Sequence, residues 1–396
     1  MQTKYRFLGI ALLLLIMPCI TVSGQKADDP YQSPNAGDTP ANPGPLATDL
    51  SPAFAPRAIA RAVRKVGDWE LIQNQSHFNQ DWTYAALYRG LLAASRSLPN
   101  REYENTMLGV GKKFDWKLGP RQTEGDDQAI GYLYLQLYMK YRDVKMLDPT
   151  KSQFDSIIFL PNVCTETCAA WSNKNTPTWW WADSIFMAPP VWADLYKATG
   201  DRKYLDHMDQ NFWVTSNLLY DPQEHLYSRD ESYLNKHEAN GRKVFWSRGN
   251  GWVIAGMAQV LEAMPKDYPS RPRYVQQFRD MAARLKSVQS EDGLWRPGLL
   301  DAESYPLPEN SGSAFFVYAL AWGINNGVLD RAAYLPVVEK GWAGLITHIY
   351  ADGRFGSIQP IGAGPDSYKP QTSYVFGVGA FLLAGSEAEK LASATR

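Results

Sequence analysis

The sequence predicts an all-α protein built as an (α/α)6 barrel, and two patterns indicate this fold. The first is an internal repeat, because residues 137–148 share six identities with residues 195–206 in the same register, 58 positions later. The second is the recurrence of apolar residues at helical spacing, for example over 130–141 and 253–264. Alternation typical of β-strands is scarce, so the predicted class is helical.

Each copy of the repeat reads as the end of one helix, a short turn and the start of the next helix. Such a hairpin cannot bury its apolar face alone and packs against neighbouring copies. About 335 residues divided by a unit of 58 give about six hairpins, which predicts six outer and six inner helices closed into a ring. A looser third copy lies at 329–335. An open solenoid is the alternative, because one partial repeat does not establish closure.

Residues 1–24 are typical of a signal peptide. Lys4 and Arg6 precede an apolar run over 7–17 that is shorter than a membrane-spanning helix, and Val22-Ser23-Gly24 supplies small residues for cleavage. We therefore expect an exported mature chain, periplasmic or secreted, without a transmembrane segment. Cys19 raises lipid anchoring as an alternative, which is less favoured because the Met-Pro pair before it fits a lipobox poorly.

Residues 25–56 contain seven prolines among Ala, Asp, Gly and Ser, a composition typical of a linker. The catalytic domain is therefore predicted to span 57–396. Within it, Cys164 and Cys168 are the cysteines left after cleavage, and in an oxidising compartment they are expected to close one small local loop. Free thiols are the alternative. A zinc site is disfavoured because none of the five His stands at ligand spacing from the pair.

The composition excludes some function classes and favours another. The net charge is −1 and no long block of Lys or Arg occurs, so the basic surface that nucleic-acid binding requires is missing. The outlier is the aromatic content of 13%, with 14 Trp and 22 Tyr. Indole faces suit the apolar faces of sugar rings.

The most informative stretch is Trp-Trp-Trp-Ala-Asp at 179–183, followed by Pro189-Pro190. A carboxyl among indole rings is poorly solvated, which favours its protonated form, and an acid kept protonated near neutral pH can act as a general acid. Core packing by Trp and capping of the next helix by Asp183 are the structural alternatives. The prolines would end or kink that helix early, which is unusual in a purely structural hairpin.

Two neighbouring acids, Asp126 and Asp127, precede the helix that is predicted to begin near Ile130. Thr123 and Asp126 have the spacing of a capping box, which gives Asp126 a structural role. Asp127 has no such role and is the better functional candidate, although both acids could simply complement the helix dipole.

The segment 245–252 reads Phe-Trp-Ser-Arg-Gly-Asn-Gly-Trp. Its two glycines allow a tight turn before a helix and place Arg248 between two indoles. A guanidinium pairs bidentately with a carboxylate, so the loop is predicted to bind an anionic group. The alternative is an arginine stacked on tryptophan with no ligand. A glycine-rich loop over 352–365 is predicted to line one end of the ring.

Taken together, these stretches resemble a known family of enzymes. The shared order comprises the acidic pair 126–127, Trp-x-Asp-x-x-Phe-Met-x-x-Pro over 181–190, Trp-x-Arg-Gly-Asn-Gly-Trp over 246–252 and Gln-Pro-x-Gly over 359–362. The chain resembles the unsaturated uronyl hydrolases of glycoside hydrolase families 88 and 105, and most closely the unsaturated rhamnogalacturonyl hydrolases, over about 82–385. The resemblance implies the (α/α)6 barrel that the repeat predicts independently.

The resemblance also implies a reaction and a site. Such enzymes remove a 4,5-unsaturated uronic acid from the non-reducing end of polysaccharide-lyase products by protonating the double bond at C4 and adding water at C5, without a metal or other cofactor. It implies Asp183 as acid and base and Asp127 as its partner in positioning water. The implied substrate-binding residues are Trp82, Asp126, Trp181, Met187, Arg229, Trp246, Arg248, Asn250 and Trp252.

One departure from the family concerns the neighbouring sugar. Where relatives commonly carry a histidine, this chain has Arg229, with His225 nearby but out of register. Rhamnose from pectin is the default neighbour, and a sulfated residue, as in ulvan, would suit the added arginine. Two other functions stay open: a conventional two-carboxylate glycosidase acting on saturated glycans, and a glycan-binding protein without catalysis. The oligomeric state does not follow from the sequence.

Overall fold

The computed structural model describes residues 35–98, 101–160 and 179–394. The predicted signal peptide at 1–24, Cys19, Cys164 and Cys168 lie outside these residues, so export, lipid anchoring and the disulfide stay predictions. The compact unit spans Ser33–Arg396. Within the described part of the chain, no helix is both long enough and apolar enough to span a membrane.

Six helices form the inner ring of the fold. They are α2 (Trp82–Ser97), α5 (Gly131–Tyr141), α8 (Pro189–Thr199), α10 (Ser247–Ala263), α12 (Asn310–Asn325) and α14 (Val375–Ser393). Each packs against the next in this order, and α14 packs against α2. The ring is therefore closed, which confirms the predicted barrel and excludes the open solenoid.

Six further helices form the outer layer. They are α1 (Pro56–Asn74), α3 (Glu102–Lys113), α6 (Asp148–Ile157), α9 (Arg202–Leu219), α11 (Arg271–Ser287) and α13 (Arg331–Ile346). The inner helices α10 and α12 are buried almost all round, whereas α11 buries only one stripe. An inner helix contacts two ring neighbours and the outer layer, so it must be apolar on every side.

The sequence repeat marks equivalent inner-to-outer turns. Arg142 ends α5 in the left-handed conformation with φ 60°, and Gly200, 58 positions later, ends α8 with φ 76°. The next residue in each copy is an aspartate, Asp143 or Asp201, whose side chain accepts a hydrogen bond from the backbone N–H two positions on. The identities thus record one turn geometry used twice.

The inner helices begin at one end of the barrel. Trp82, the first residue of α2, stacks on Phe376 at the start of α14, with ring centroids 5.6 Å apart. At the start of α12, a Cβ on Gly312 would lie 2.3 Å from the Ser247 hydroxyl at the start of α10. Two short helices, α4 (Gly125–Gln128) and α7 (Ser184–Met187), precede α5 and α8 at this end.

The predicted linker is wrong for the part of it that the structure describes. Residues 35–56 pack on the barrel: strand β1 (Gly37–Asp38) pairs antiparallel with β4 (Ser373–Tyr374), and the Ala47 N–H donates to the Ile349 carbonyl at 2.8 Å. Prolines lack an N–H, but the other backbone groups find partners on the C-terminal loops, so a polar, proline-rich segment is ordered without a core of its own.

Candidate active site

The two acid-bearing segments of the chain meet at the end of the barrel where the inner helices begin. A Cβ on Gly125 in α4 would lie 3.6 Å from the Trp181 ring and 3.7 Å from the Ser184 Cβ in α7. Behind α7, Gly256 of α10 lies so close to the Ile185 carbonyl that a Cβ there would be 2.4 Å away. Gly256 therefore lets α10 approach α7 at backbone distance, and α4 at Gly125 is in ordinary contact with Trp181 and α7.

Asp183 carries a carboxyl group with no structural function. It occupies the N-cap position of α7, with φ −62° and ψ −29°, yet its side chain makes no capping hydrogen bond. Its Oδ2 atom is buried and has no hydrogen-bond partner among the described residues. The capping alternative is therefore wrong, and the oxygen is free for chemistry.

The surroundings of Asp183 favour its protonated form. Burial raises the pKa of this carboxyl above its usual value, and the positive charges of Arg229 and Arg248 oppose that rise. A buried acid that stays protonated closer to neutral pH can donate its proton. The two prolines stand at the first positions of α8 and limit α7 to four residues, as the sequence predicted.

The interpretation that Asp127 lacks a structural partner is wrong. The Arg121 side chain donates to both of its oxygens, from Nη2 to Oδ1 at 2.9 Å and from Nε to Oδ2 at 3.1 Å. The Arg121 backbone N–H also donates to Oδ2 at 2.5 Å, and the Gly119 N–H donates to the Asp127 carbonyl at 2.9 Å. This carboxylate therefore holds the loop before α4 in place.

Asp126 is the neighbour with a free carboxyl. The predicted capping box is absent, because Glu124 is the N-cap of α4 and no side chain caps this helix. Within the described residues the Asp126 carboxyl has no hydrogen-bond partner. Its pKa is raised well above its usual value, first by burial and then by the negative charges of Glu124, Asp81 and Asp183. The charge of Asp183 thus acts on Asp126.

Arg229 reaches the same place from the hairpin of β2 (Tyr220–Asp221) and β3 (Leu226–Tyr227). Its carbonyl accepts the Ala182 N–H at 2.8 Å, and its Nη1 donates to Asp230 Oδ2 at 2.6 Å. Its Nε atom lies 3.9 Å from Asp183 Oδ2. Arg229 is therefore beside the candidate acid, whereas His225 bonds to the Tyr220 hydroxyl in the turn of the hairpin.

The sequence profile of Glycosyl Hydrolase Family 88 matches residues 55–392, which is nearly the whole barrel. The chain belongs to this family. It is therefore a glycoside hydrolase.

Relatives support the same conclusion. The chain is 40% identical over 319 residues to an unsaturated 3S-rhamnoglycuronyl hydrolase of Formosa agariphila, covering 78% of this chain and 85% of that protein. It is 31% identical to a protein of the same name from an Alteromonas species, covering 98% of each chain. A solved structure titled polysaccharide lyase is 32% identical, with a TM-score of 0.78 over 85% of this chain and 97% of that one.

The three tryptophans before Asp183 of this family 88 enzyme have different surroundings. Trp179 is buried in the core, as predicted. Core packing, the structural alternative for these tryptophans, does not hold for Trp180, because its half-buried ring lies against Arg229, with the guanidinium 5.4 Å from the ring centroid. Trp181 pairs with Asp230 in an isolated β-bridge and lies against α4, so it forms a wall of the site.

The prediction that Arg248 binds an anionic substrate group is wrong. Its side chain is 1% exposed and lies 3.6 Å from Glu309. Its guanidinium donates to the carbonyls of Gln359 at 2.7 Å and Pro360 at 2.6 Å and stacks on Trp246 at 4.3 Å. Arg248 therefore anchors the 352–365 loop to the end of the barrel, where the sequence placed that loop.

Other predicted contacts with substrate are also structural. Trp246 is buried and donates to the Gln359 side chain at 3.0 Å. Asn250 is fully buried and bonds to both the N–H and the carbonyl of Tyr227, at 2.7 and 3.0 Å. Trp252 and Met187 are buried as well, and Trp252 packs against Phe186, Phe315 and Phe376. Trp82, at the edge of this aromatic cluster, is partly exposed, as are Asp126 and Arg229.

Sequence reasoning missed several residues that build the site. Arg121 binds the Asp127 carboxylate. Glu309 accepts hydrogen bonds from the start of α12 and from the Gln359 N–H at 3.1 Å. Burial raises the pKa of Tyr233, in a short 3-10 helix after β3, and the nearby charges of Asp230 and Asp183 raise it further. None of these residues belongs to the motifs identified in the sequence, although Arg121 lies only six positions before its partner Asp127.

Proposed function

We propose that this family 88 enzyme removes a 4,5-unsaturated uronic acid from the non-reducing end of oligosaccharides produced by polysaccharide lyases. The observation that carries the proposal is the buried, unpartnered oxygen of Asp183 in a carboxyl whose pKa burial raises. The names of the two curated relatives, both unsaturated rhamnoglycuronyl hydrolases, support the same substrate class.

In the proposed reaction, Asp183 transfers its proton to C4 of the enol-ether double bond. The positive charge that develops at C5 is shared with the ring oxygen, and a water molecule adds its oxygen to C5 while a proton returns to the carboxylate. The resulting hemiketal at C5 opens the ring, and the hemiacetal left at C1 releases the remaining sugar. Every proton comes from the carboxyl or from water, so one acid–base group suffices.

We propose Asp126 as the second carboxyl of the reaction. Asp127 is held by three hydrogen bonds from Arg121, and losing them would cost loop structure. Asp126 has no such partner, and its pKa responds to the charge of Asp183. Two close carboxyls favour a state with one proton between them, which leaves one group to donate and the other to orient water.

Two positive features of the site could bind an anionic group of the substrate, although acidic side chains, including the Asp230 that pairs with Arg229, also surround it. The N-terminal ends of the inner helices, with their partial positive charge, lie at this end of the barrel. Arg229, with 20% of its side chain exposed, adds a full positive charge beside Asp183. We propose that it faces an acidic group of the substrate, either the uronate carboxylate or a sulfate on the adjoining sugar.

We propose a sulfated rhamnose, as in ulvan, as the adjoining sugar. Two points support it over the unsulfated rhamnose of pectin: the family resemblance places Arg229 where such enzymes commonly have histidine, and both curated relatives carry the prefix 3S before rhamnoglycuronyl in their names. Trp180, stacked on Arg229, and Trp181 supply flat apolar surface next to the same position.

The experiment that tests the proposed function offers three substrates in parallel: lyase-digested ulvan, the same digest after desulfation, and lyase-digested rhamnogalacturonan. The ultraviolet absorbance of the conjugated double bond is followed over time. We expect it to fall fastest with the sulfated ulvan digest. Equal rates with and without sulfate would contradict the assignment of the sugar, and a constant absorbance with all three digests would contradict the function.

The solved structure titled polysaccharide lyase makes elimination the second candidate function. A lyase creates the double bond that the proposed hydrolase consumes. A lyase therefore raises the ultraviolet absorbance, and the proposed hydrolase lowers it. With intact ulvan as substrate, a rising absorbance would establish a lyase. We expect no rise.

The remaining alternatives are tested in the same samples. A conventional glycosidase would release reducing sugar from saturated oligosaccharides, which we expect to stay intact. A glycan-binding protein would bind the polysaccharide in a calorimeter and leave every digest unchanged.

A further inference from the structure

A buried arginine on α2 connects the two acid-bearing helices. Arg89 is 1% exposed and lies inside the ring of inner helices. Its Nη1 donates to the Phe186 carbonyl at 2.7 Å and to Gln259 Oε1 at 2.8 Å. Its Nη2 donates to the carbonyls of Met187 at 3.0 Å and Ala129 at 3.2 Å.

Arg89 has no carboxylate partner within ion-pair distance among the described residues. A buried cation without a counter-ion is costly unless polar groups surround it, and here backbone carbonyls and an amide take that part. Aromatic rings complete the enclosure, because the guanidinium lies 4.1 Å from the Phe186 ring centroid and 4.5 Å from that of Tyr132. The contacts of this charge are therefore the backbone carbonyls, the Gln259 amide and the two rings.

Those carbonyls belong to the two helices that carry the free carboxyls. Phe186 and Met187 are the last residues of α7, which begins directly after Asp183. Ala129 is the C-cap of α4, which contains Asp126. Each helix has four residues, too few to hold its own ends by internal hydrogen bonds.

We propose that Arg89 is a positioning residue, which fixes α4 and α7 to each other and so sets the separation of the Asp126 and Asp183 carboxyls. This inference rests on the proposed function, because it assigns the separation a part in the reaction. Arg89 does not touch the substrate. It acts through the backbone of the segments on which the two acids stand.

The separation of two carboxyls determines how strongly the charge of one opposes ionisation of the other. The other charged groups around them are on separate elements: Arg229, Arg248 and Asp230 act on Asp183, while Glu124, Arg121 and Asp81 act on Asp126. Arg89 itself is near Asp194, Tyr132 and Tyr318. Loosening the Arg89 contacts therefore changes the mutual effect of the two carboxyls and leaves the other pairs in place.

The test compares Arg89→Lys with Arg271→Lys. Arg271 is a matched control, because its Nη1 also donates to two backbone carbonyls, those of Leu261 and Met264, at 2.7 Å each. These lie at the far end of α10 from the site. Lysine keeps the charge at either position but cannot reproduce the planar fork.

We expect both variants to melt at a lower temperature than the parent. Only Arg89→Lys should lower kcat on the lyase digest, by about tenfold or more, with a much smaller change in KM, because misplaced catalytic groups cost rate rather than affinity. Its pH–rate profile should also shift by about half a pH unit or more. Equal losses in the two variants with parental pH profiles would reduce Arg89 to a stabilising residue and overturn the inference.

A second variant keeps the inference testable if Arg89→Lys does not fold. Gln259→Glu keeps the shape of the side chain and gives Arg89 an anionic partner that competes with the carbonyls. We expect a pH profile shifted from that of the parent, and an unchanged profile would count against Arg89. If the parent enzyme consumes none of the digests, the proposed function fails, whereas an active parent with unshifted variants overturns only the positioning inference.

Discussion

The Nε atom of Arg229 lies 3.9 Å from Oδ2 of Asp183, and neither atom has a hydrogen-bond partner among the described residues. The distance is too long for a hydrogen bond but short enough for a strong effect of one charge on the other. The arginine is already paired with Asp230 through Nη1. The site thus holds a buried acid next to a cation that moderates its pKa without taking its oxygen.

Asp183→Asn should abolish turnover and leave the fold intact. The amide cannot donate a proton of the required acidity, and general acid catalysis contributes about 10²–10⁴-fold. The measurement is the loss of absorbance of lyase-digested ulvan, with a thermal melt as the check on folding. Asp206→Asn on the exposed face of α9 is the control, and activity of Asp183→Asn close to the parent would refute the role.

Asp126→Asn should mainly reduce catalysis, whereas Asp127→Asn should mainly reduce stability. Asp126→Asn is expected to lower kcat strongly with little effect on stability, because its carboxyl has no structural partner. Asp127→Asn is expected to destabilise the protein by about 1–3 kcal/mol, because it weakens the hydrogen bonds of Arg121. Urea unfolding and kinetics on the same two proteins check this. The reverse pattern would restore Asp127 as the catalytic partner.

Arg229→Gln should extend activity to higher pH. The positive charge of Arg229 lowers the pKa of Asp183, so its removal lets that pKa rise further. A group that must be protonated loses activity as pH rises through its pKa, and the alkaline limb of the pH–rate profile therefore moves upward. KM for the sulfated digest should rise as well. An unchanged alkaline limb would show that another group determines it.

Arg248→Met should affect stability more than substrate affinity. The side chain holds the Gln359 and Pro360 carbonyls, and its removal leaves Glu309 buried without its cation. Breaking a buried pair in this way costs about 3–5 kcal/mol. Arg248→Met combined with Glu309→Gln should recover part of the loss in a thermal melt. A large rise in KM at parental stability would instead support the original prediction of substrate binding.

Glu70 should make the protein less stable at alkaline pH. This residue of α1 is buried, and burial raises its pKa to about 8. The folded state therefore keeps a proton that the unfolded state releases above about pH 4.5, so stability falls as pH rises from there to about 8. Glu70→Gln should flatten this dependence and melt higher than the parent at pH 9. Parallel melting curves for the two proteins across that range would contradict the assignment.

Much of the barrel follows from local patterns. The aspartates that open the turns at 143 and 201 and the left-handed residues before them are visible as repeated letters, because helix ends are satisfied by near neighbours. The inner helices are recognisable by continuous apolar character. The segment 35–56 was misread for the converse reason: its partners, such as Arg354 for Asp38, are about three hundred residues away.

The sequence by itself indicated the family, about six helical hairpins and Asp183 as the candidate acid, since these depend on short motifs and periodicity. Closure of the ring was decided by the packing of α14 against α2. Only the tertiary structure showed that Asp127 is bonded to Arg121, which is why Asp126 is proposed as the second carboxyl. Successive side chains of a helix point about 100° apart, so one of the two acids faces Arg121 and the other the site. The contacts of Arg248 and Trp180 likewise became visible only in the tertiary structure, because packing brings their partners together.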